Sequence, residues 1–367
     1  MNLKTKLREK LERMRKARAV NHLRRIELHN CKDPRRIKIC EMVELSAAQK
    51  KQIDELYGRY YGEKIPYTWH KYYTAFTGRF DVNYFPELLQ HPEFQYFMNS
   101  KENYKAIYAD KNILPLIAAG VGIRMPKTFV SSINGIIRDG NFRLIKKEDL
   151  KDILSEKEYF AKPSVDSDSG KGCFLFHPDN DNDFEKIFAS GNNFVIQEKI
   201  ICSKSVAALH PYSVNTFRIM SFIWKNKVEL VPVIMRIGRN KSPIDNAHAG
   251  GIFIAVNNNG TLHETAFTEF GEAFREHPDT HIVFNGYQIR NFENVLKAAV
   301  KMHSAIPQLK MVSWDFTINH EEKPVLIEAN VRHINLWLFQ IPWGCGPFGD
   351  KTKEILQWLR EQKKSLL

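Results

Sequence analysis

Three oxygen-bearing side chains late in the chain, Asp315, Glu328 and Asn330, are spaced to meet on one face of a hairpin. Residues 312–318 (Val-Ser-Trp-Asp-Phe-Thr-Ile) and 325–330 (Val-Leu-Ile-Glu-Ala-Asn) read as two strands around the polar turn Asn-His-Glu-Glu-Lys-Pro. Successive strand side chains point to opposite faces, so Val312, Trp314, Phe316 and Ile318 share one face and Ser313, Asp315 and Thr317 the other. The same alternation sets Val325, Ile327 and Ala329 against Leu326, Glu328 and Asn330. If the strands pair, two carboxylates and an amide oxygen converge. These are hard donors of the kind Mg²⁺ takes, and Mg²⁺ held this way completes its shell with water and substrate phosphates. A nucleotide is therefore expected nearby. The plain alternative is a hairpin with a solvated polar outer face, and other stretches must separate the two.

One such stretch is Phe160-Ala-Lys-Pro-Ser-Val-Asp-Ser-Asp-Ser-Gly-Lys-Gly172. It places Lys162 at a strand end and Ser167, Ser169, Gly170 and Gly172 in a turn whose backbone N–H groups could cradle phosphate. The P-loop pattern G-x-x-x-x-G-K-[ST] is absent, since Gly170-Lys171-Gly172 has neither the spacing nor the following hydroxyl. Taken alone, a Ser/Gly loop is more often a plain turn.

The elements that must position these groups follow in order. A basic helix from Asn2 to about Arg25 precedes an aromatic-rich helical region over 46–110, and a helix opening at Asp110-Lys111 ends near Gly120 to Gly122. An α/β unit comes next: a strand over 127–131, helix 147–154, strands 159–162 and 173–176, helix 183–188 and strand 193–199. Strands over 213–222, 231–236 and 252–256 follow, then a turn at Asn257-Asn-Asn-Gly260, a helix over 293–305, the hairpin, and a closing helix over 351–363. Most of the aromatics between Tyr57 and Phe97 are expected in a core, although aromatic faces also suit sugar rings.

A chain of 367 residues with 43% hydrophobic and 12% aromatic content has material for two or three packed domains. The cysteines, Cys31, Cys40, Cys173, Cys202 and Cys345, are odd in number and form no C-x-x-C pair. They indicate neither a zinc site nor a disulfide framework, and a reducing cytoplasm fits them. The longest apolar run, 113–123, is broken by Pro115, Gly120 and Gly122. It falls short of the roughly 18 residues that span a bilayer, and the N-terminus has no apolar signal core.

The net charge of +12 is concentrated at one end: residues 1–40 hold fourteen Lys and Arg against four Asp and Glu, which is +10. The remainder is nearly neutral, which argues against nucleic acid on the main body. Leu3, Leu7, Leu11 and Met14 form a narrow stripe on the first helix, whose other faces are basic. Two expectations follow: contact with an anionic membrane or a protein complex, or leucines packed on the body as in an ordinary surface helix.

In this order the landmarks resemble the ATP-grasp superfamily, and more closely its sugar-transfer-associated family found among polysaccharide biosynthesis proteins. The resemblance runs from about Phe80 to Gln357 and rests on Tyr84-Phe-Pro-Glu, Asp110-Lys111, Ala161-Lys-Pro with its loop, Gln197-Glu-Lys-Ile and Asn215-Thr-Phe-Arg218. It continues through Arg236-Ile-Gly-Arg, Asp245-Asn246, Gly250-Gly251, Asp315, Glu328-Ala-Asn330 and Arg332-His333. It implies an α+β fold of two subdomains gripping ATP behind a helical, aromatic-rich N-terminal region. The boundaries expected are 1–45, 46–126, 127–199 and 200–367.

By the same resemblance, Lys111 and Lys162 would contact the phosphates with Ser167, Ser169 and Gly170, and Gln197, Glu198, Lys199 and Ile200 would form the adenine hinge. Asn215 and Arg218, expected exposed near a strand start, would steady the polyphosphate, and Asp315, Glu328 and Asn330 would hold Mg²⁺. Arg236 would stabilise an oxyanion, beside Arg218 and Lys162 as catalytic groups. His248, Gly250, Gly251, Arg332 and His333 would meet substrate, each histidine having an exposed or structural role as its alternative.

The function implied is an ATP-dependent ligase acting through an acyl phosphate. It would join a small-molecule or saccharide carboxylate to an amine, or to a thiol or hydroxyl, for example an amino acid to a uronic acid in surface polysaccharide. The alternatives are a sugar kinase of the same fold and a non-catalytic ATP-binding adaptor of a glycosyltransferase complex, with nucleic acid excluded. The location expected is the cytoplasm, with contact at the inner membrane face through residues 1–40.

Overall fold

The computed structural model describes residues 3–99, 102–155, 157–165, 171–189 and 193–366. The chain forms two compact units, one made of Met1–Ser100, Phe267–Ala273 and His333–Leu367, the other of Lys101–Ala266 and Phe274–Arg332.

The second unit holds two sheets. The smaller runs in the order Ile136–Asp139, Thr128–Ile133, Phe194–Glu198, Tyr159–Pro163, Phe174–Phe176. Val130, Tyr159, Ala161, Phe176, Phe194 and Ile196 build its core with Leu150 and with Ile187 of the helix Asp181–Ala189. The larger sheet places Thr216–Trp224 between Val233–Ile237 and Met311–Ile318, with Ile252–Val256 outside the former and Pro324–Asn330 outside the latter. The helix Phe292–Ala305 packs on it, burying Phe292, Val295, Ala299 and Met302 in the same core as Val312, Trp314, Phe316 and Ile318.

The hairpin pairs as its pattern predicts, with Asp315 opposite Glu328 and Ser313 opposite Asn330. Its alternation is interrupted once. A register shift between Asp315 and Phe316 sets Phe316 opposite Leu326, and directly opposed residues share a face. Leu326 therefore joins the core instead of sharing the Glu328 face, and Thr317 is opposite Val325. A bulge has no compositional signature here, which is why strict alternation fails at this point.

The first unit is helical: Leu3–Asn30, Pro34–Glu41, Ala47–Leu56, Thr68–Thr77, Trp337–Trp343 and Thr352–Lys364 are its longer helices. Two π-helical turns, Tyr57–Tyr61 and Gln90–Gln95, interrupt the α-helical winding. Its core is aromatic, as expected, with Tyr57, Tyr61, Tyr73, Tyr84, Phe85 and Phe94 essentially inaccessible. The sequence expectation ran a second subdomain through to residue 367; contacts group 333–367 with the first hundred residues. Side chains of the Glu87–Gln95 segment explain this grouping. Glu87 Oε1 accepts from the backbone N–H of Leu336 and Trp337 at 2.9 and 2.6 Å, Gln95 Oε1 from Ile334 N–H at 3.0 Å, and Gln340 is bonded to the backbone of Phe85.

The first helix is joined to its unit near its C-terminal half. Arg24 Nη1 donates to Tyr61 Oη at 2.6 Å and to buried Glu93, and Lys363 Nζ donates to the same Tyr61 hydroxyl at 2.8 Å. Toward its start the helix leaves Leu7, Leu11 and Met14 exposed at 58%, 58% and 45%, so these three do not pack on the body. No helix among the described residues is long and apolar enough to cross a membrane.

Candidate nucleotide and metal site

Sheet register assembles the site in the second unit. Arg218, Asp315 and Glu328 are successive partners across three neighbouring strands, and their side chains form one row on one face. Arg218 Nε and Nη2 donate to the two oxygens of Asp315, each at 2.7 Å. Arg236 enters from the strand on the far side of Arg218: its Nη2 lies 3.0 Å from Asp315 Oδ2, and its Nε and Nη2 donate to Thr216 Oγ1 at 3.0 and 2.7 Å. Asp245 closes the network by accepting from the backbone N–H and hydroxyl of Thr216 and lying 3.5 Å from Arg236.

The electrostatics follow from this arrangement. Burial alone would raise Asp315, but Arg218 and Arg236 outweigh it and hold its carboxyl well below the usual range. Glu328 is pushed up, first by burial and then by the Asp315 charge beside it. Two carboxyl groups in mutual contact are a pair that a divalent cation would bridge. Asn330 Nδ2 sits 3.3 Å from Asp315 Oδ2 and 3.5 Å from Glu328 Oε1; a half-turn of the amide presents its oxygen to the same point. The donor set thus fits Mg²⁺, consisting of two carboxylates and an amide with no thiolate or imidazole.

Lys162 and Lys111 stand beside this pair. Lys162 is buried at the end of its strand, and its ammonium is lowered to about 8 by burial, with Lys111 pushing the same way and Glu328 opposing. Lys111 is buried too, its backbone N–H donating to Ser164 O at 3.0 Å, and its charge is felt at Glu328. Two buried lysines whose charges reach Glu328, which itself touches buried Asp315, are suited to phosphate bridged by metal.

The family of sugar-transfer associated ATP-grasp proteins matches residues 89–355. The chain belongs to that family. Among curated proteins none matches this ATP-grasp chain. Solved structures similar to it include N5-carboxyaminoimidazole synthetase from Staphylococcus aureus complexed with ADP, at 13% identity over 63% of this chain and 47% of that one, TM-score 0.39. D-alanine–D-alanine ligase from Bacillus anthracis is 15% identical over 70% of this chain and 69% of that one, TM-score 0.40. D-alanyl-alanine synthetase A from Vibrio cholerae is 11% identical over 71% and 65%, TM-score 0.42. The chain spans about half the length of the first of these, 47%.

Elsewhere in this ATP-grasp chain the expected residues are placed as follows. Ser167, Ser169 and Gly170 lie outside the described residues. At the hinge, Gln197 is buried, with Nε2 bonded to Thr128 Oγ1 at 3.0 Å. Glu198 donates its backbone N–H to Lys127 O, its carboxylate accepts from Lys127 N–H and pairs with Arg124, and Lys199 pairs with Glu158. Ile200 follows without a strand assignment.

Asn215 corrects an expectation. It is fully buried: its Nδ2 donates to Val206 O and His210 O, and its Oδ1 accepts from Ser213 Oγ and Gly238 N–H. Asn215 and Arg218 are three residues apart, an odd step in a two-residue period, so their side chains cannot share a face. Arg218 alone reaches the row, only 20% exposed at its side chain.

Gly250 adopts φ +93°, and its carbonyl accepts from Arg239 Nε. Gly251 is required sterically, because a Cβ there would lie 2.4 Å from Asp245 O. His248 is exposed on a short 3₁₀ turn. Arg332, exposed, ends the second unit; His333, in the first, takes φ +49° with its ring 6.0 Å from that of His91. Thr216 and Asp245 were missed as part of the machinery, although Thr216 lies two residues before Arg218 and so on its face.

Proposed function

We propose that the chain is an ATP-dependent ligase that activates a carboxylate as an acyl phosphate and passes the acyl group to an amine. The observation that carries this reading is the contact pair Asp315–Glu328 with buried Lys111 and Lys162 near enough for their charges to act on Glu328. Asp315, Glu328 and the Asn330 oxygen would hold Mg²⁺. When bound, that ion neutralises charge on the phosphates of ATP.

The rest is done by side chains. Lys111 and Lys162 bind phosphate oxygens, and burial raises what each charge contributes there. The adenine would lie against the Lys199 and Ile200 backbone, since the Glu198 N–H is already given to Lys127. Transfer of the γ-phosphoryl to the substrate carboxylate forms the acyl phosphate and ADP. The amine nitrogen then attacks the acyl carbon, the C–N bond forms, and phosphate leaves as the nitrogen sheds a proton. Arg236, fixed by Thr216 and Asp245, would face the oxyanion of that tetrahedral state, and the open space over Gly250, held by the close-packed Gly251, would admit the acyl group. His248, Arg332 and His333 remain the substrate-contact candidates, and an amino acid and a uronic acid in surface polysaccharide remain the substrates, on the family description alone.

Mg²⁺-dependent ATP consumption with pooled amino acids and uronic acids, read by mass spectrometry, tests the proposal. ADP with a product condensed by loss of water, abolished in Asp315→Asn, supports the ligase. ADP with a stable phosphorylated sugar would replace it by the kinase, and ATP binding without turnover across the pool would replace it by an adaptor role. A second reading concerns place: exposed Leu7, Leu11 and Met14 among basic residues favour contact with an anionic surface, at the cytoplasmic membrane face or on a glycosyltransferase complex. Sedimentation with anionic vesicles, compared with a chain lacking residues 3–16, checks it.

A further inference from the structure

The first unit contains a chamber that none of the chemistry above uses. It measures about 20 Å³ and is walled by Trp69, Tyr72, Tyr73 and Trp337, with Glu87 and Arg36 as its charged groups. It adjoins a wider cleft of about 360 Å³, sharing Cys31, Cys40, Thr68 and Trp69 with it; Leu28, Ile37 and Pro66 line the cleft, with Lys32, Lys71 and Glu41. Two polar atoms in the chamber walls are buried without a hydrogen-bond partner among the described residues: Glu87 Oε2 and Tyr73 Oη. Glu87 is only 3% exposed and Tyr73 inaccessible. Such atoms are costly unless a ligand or water meets them.

The neighbouring charges leave this need unmet. Arg36 is engaged elsewhere, its Nη2 3.3 Å from Glu269 and its guanidinium 5.9 Å over the Tyr72 ring. His91 Nε2 lies 3.6 Å from Glu87 Oε2 but is bonded to Asn335 Oδ1 at 2.6 Å. Glu27, half-buried, adds a second carboxyl whose charge is felt at both Glu87 and Cys31. The Cys31 thiol, pushed up to about 12 chiefly by burial, stays neutral.

We propose that this pocket binds a primary amine, with the ammonium seated against Glu87 and Tyr73 inside the aromatic chamber and its apolar body in the adjoining cleft. Size selects the head: a chamber of about 20 Å³ takes one group as large as a water molecule, which an ammonium is and a carboxylate or ring is not. The unsatisfied carboxyl oxygen and the aromatic lining together favour a cationic donor over an anion. Burial raises Glu87 to about 8, so near neutral pH its carboxyl holds a proton that an arriving ammonium displaces. The inference is independent of the ligase reading.

Calorimetric titration of the full chain with 2-phenylethylamine, 2-phenylethanol and 3-phenylpropionate tests it. The amine is expected to saturate one site, release a proton detectable as buffer-dependent heat, and bind about tenfold more tightly than the alcohol or the acid. Glu87→Gln keeps an oxygen for the Leu336 and Trp337 amides, and Tyr73→Phe keeps the ring; each is expected to weaken the amine about tenfold and leave the alcohol unchanged. MgATP binding should be unaltered in both, so failure here and failure of the ligase proposal are read separately. Should Glu87→Gln not fold, Tyr73→Phe still decides. Absence of saturable amine binding, equal binding of amine and alcohol, or amine binding untouched by the foldable variants would overturn the proposal and leave a chamber for a buried water only.

Discussion

Arg218 holds Asp315 by a two-pronged contact, Nε to one carboxylate oxygen and Nη2 to the other, both at 2.7 Å. A lysine carries the charge but cannot supply two parallel donors. Arg218→Lys is expected to lower ATP-dependent turnover by about a hundredfold, and Arg218→Ala to cost about 3 kcal/mol of stability by leaving buried Asp315 with Arg236 as its remaining cation. Steady-state kinetics and urea unfolding separate the two effects.

Gly251 offers a test of the support beneath Arg236. A Cβ at this position meets Asp245 O at 2.4 Å and Asn246 O at 3.0 Å, both backbone atoms. Gly251→Ala must therefore shift Asp245, which fixes Thr216 and through it Arg236. The expected result is about a tenfold or greater loss of turnover with ATP affinity nearly unchanged, because Lys111 and Lys162 are untouched.

Acid stability is set partly by two buried histidines. His303 accepts from Ser221 Oγ and donates to Leu309 O, and the same hydroxyl receives Trp314 Nε1–H. His70 donates to Val82 O. Burial lowers both to about 4, whereas the unfolded chain takes a proton near pH 6.5. Their contribution is therefore full above pH 6.5 and is lost as pH falls toward 4, by up to about 1.4 kcal/mol per pH unit for each. Urea midpoints between pH 7.5 and 4.5 should show this slope, and His303→Phe should remove one proton's share of it.

The first helix divides into a joined part and an exposed part. Removing residues 3–16 is expected to leave the melting temperature within a degree or two, because residues 4–15 are exposed. Arg24→Met leaves Glu93 and Tyr61 facing Lys363 alone and should cost about 3 kcal/mol, read by thermal unfolding.

Much of the site was legible because sheets obey a period of two. Asp315 and Glu328 came together from alternation alone, and the pairing register is as the pattern required. The same rule, applied to Asn215 and Arg218, would have separated them. What alternation cannot carry is which strands become neighbours: Thr216–Trp224 lies between two strands distant in sequence, and only that order brings Arg236 to Asp315. The proximity of Lys111 and Lys162 to Glu328 has no local signal either and was available through the family resemblance. The Leu326 bulge and the seating of 333–367 with the N-terminal helices depend on long-range contacts that no short window records.

The first unit is closed by both ends of the chain, with residues 333–367 entering only after the whole second unit. During synthesis the second unit can therefore complete itself while its translation partner waits. The N-terminal hundred residues, with aromatics such as Tyr61, Tyr73 and Phe94 still uncovered, stay open until the helix Thr352–Lys364 leaves the ribosome. Chaperones that shelter nascent chains should engage this end first, and premature termination just after residue 332 should yield a folded second unit trailing an unfolded leader.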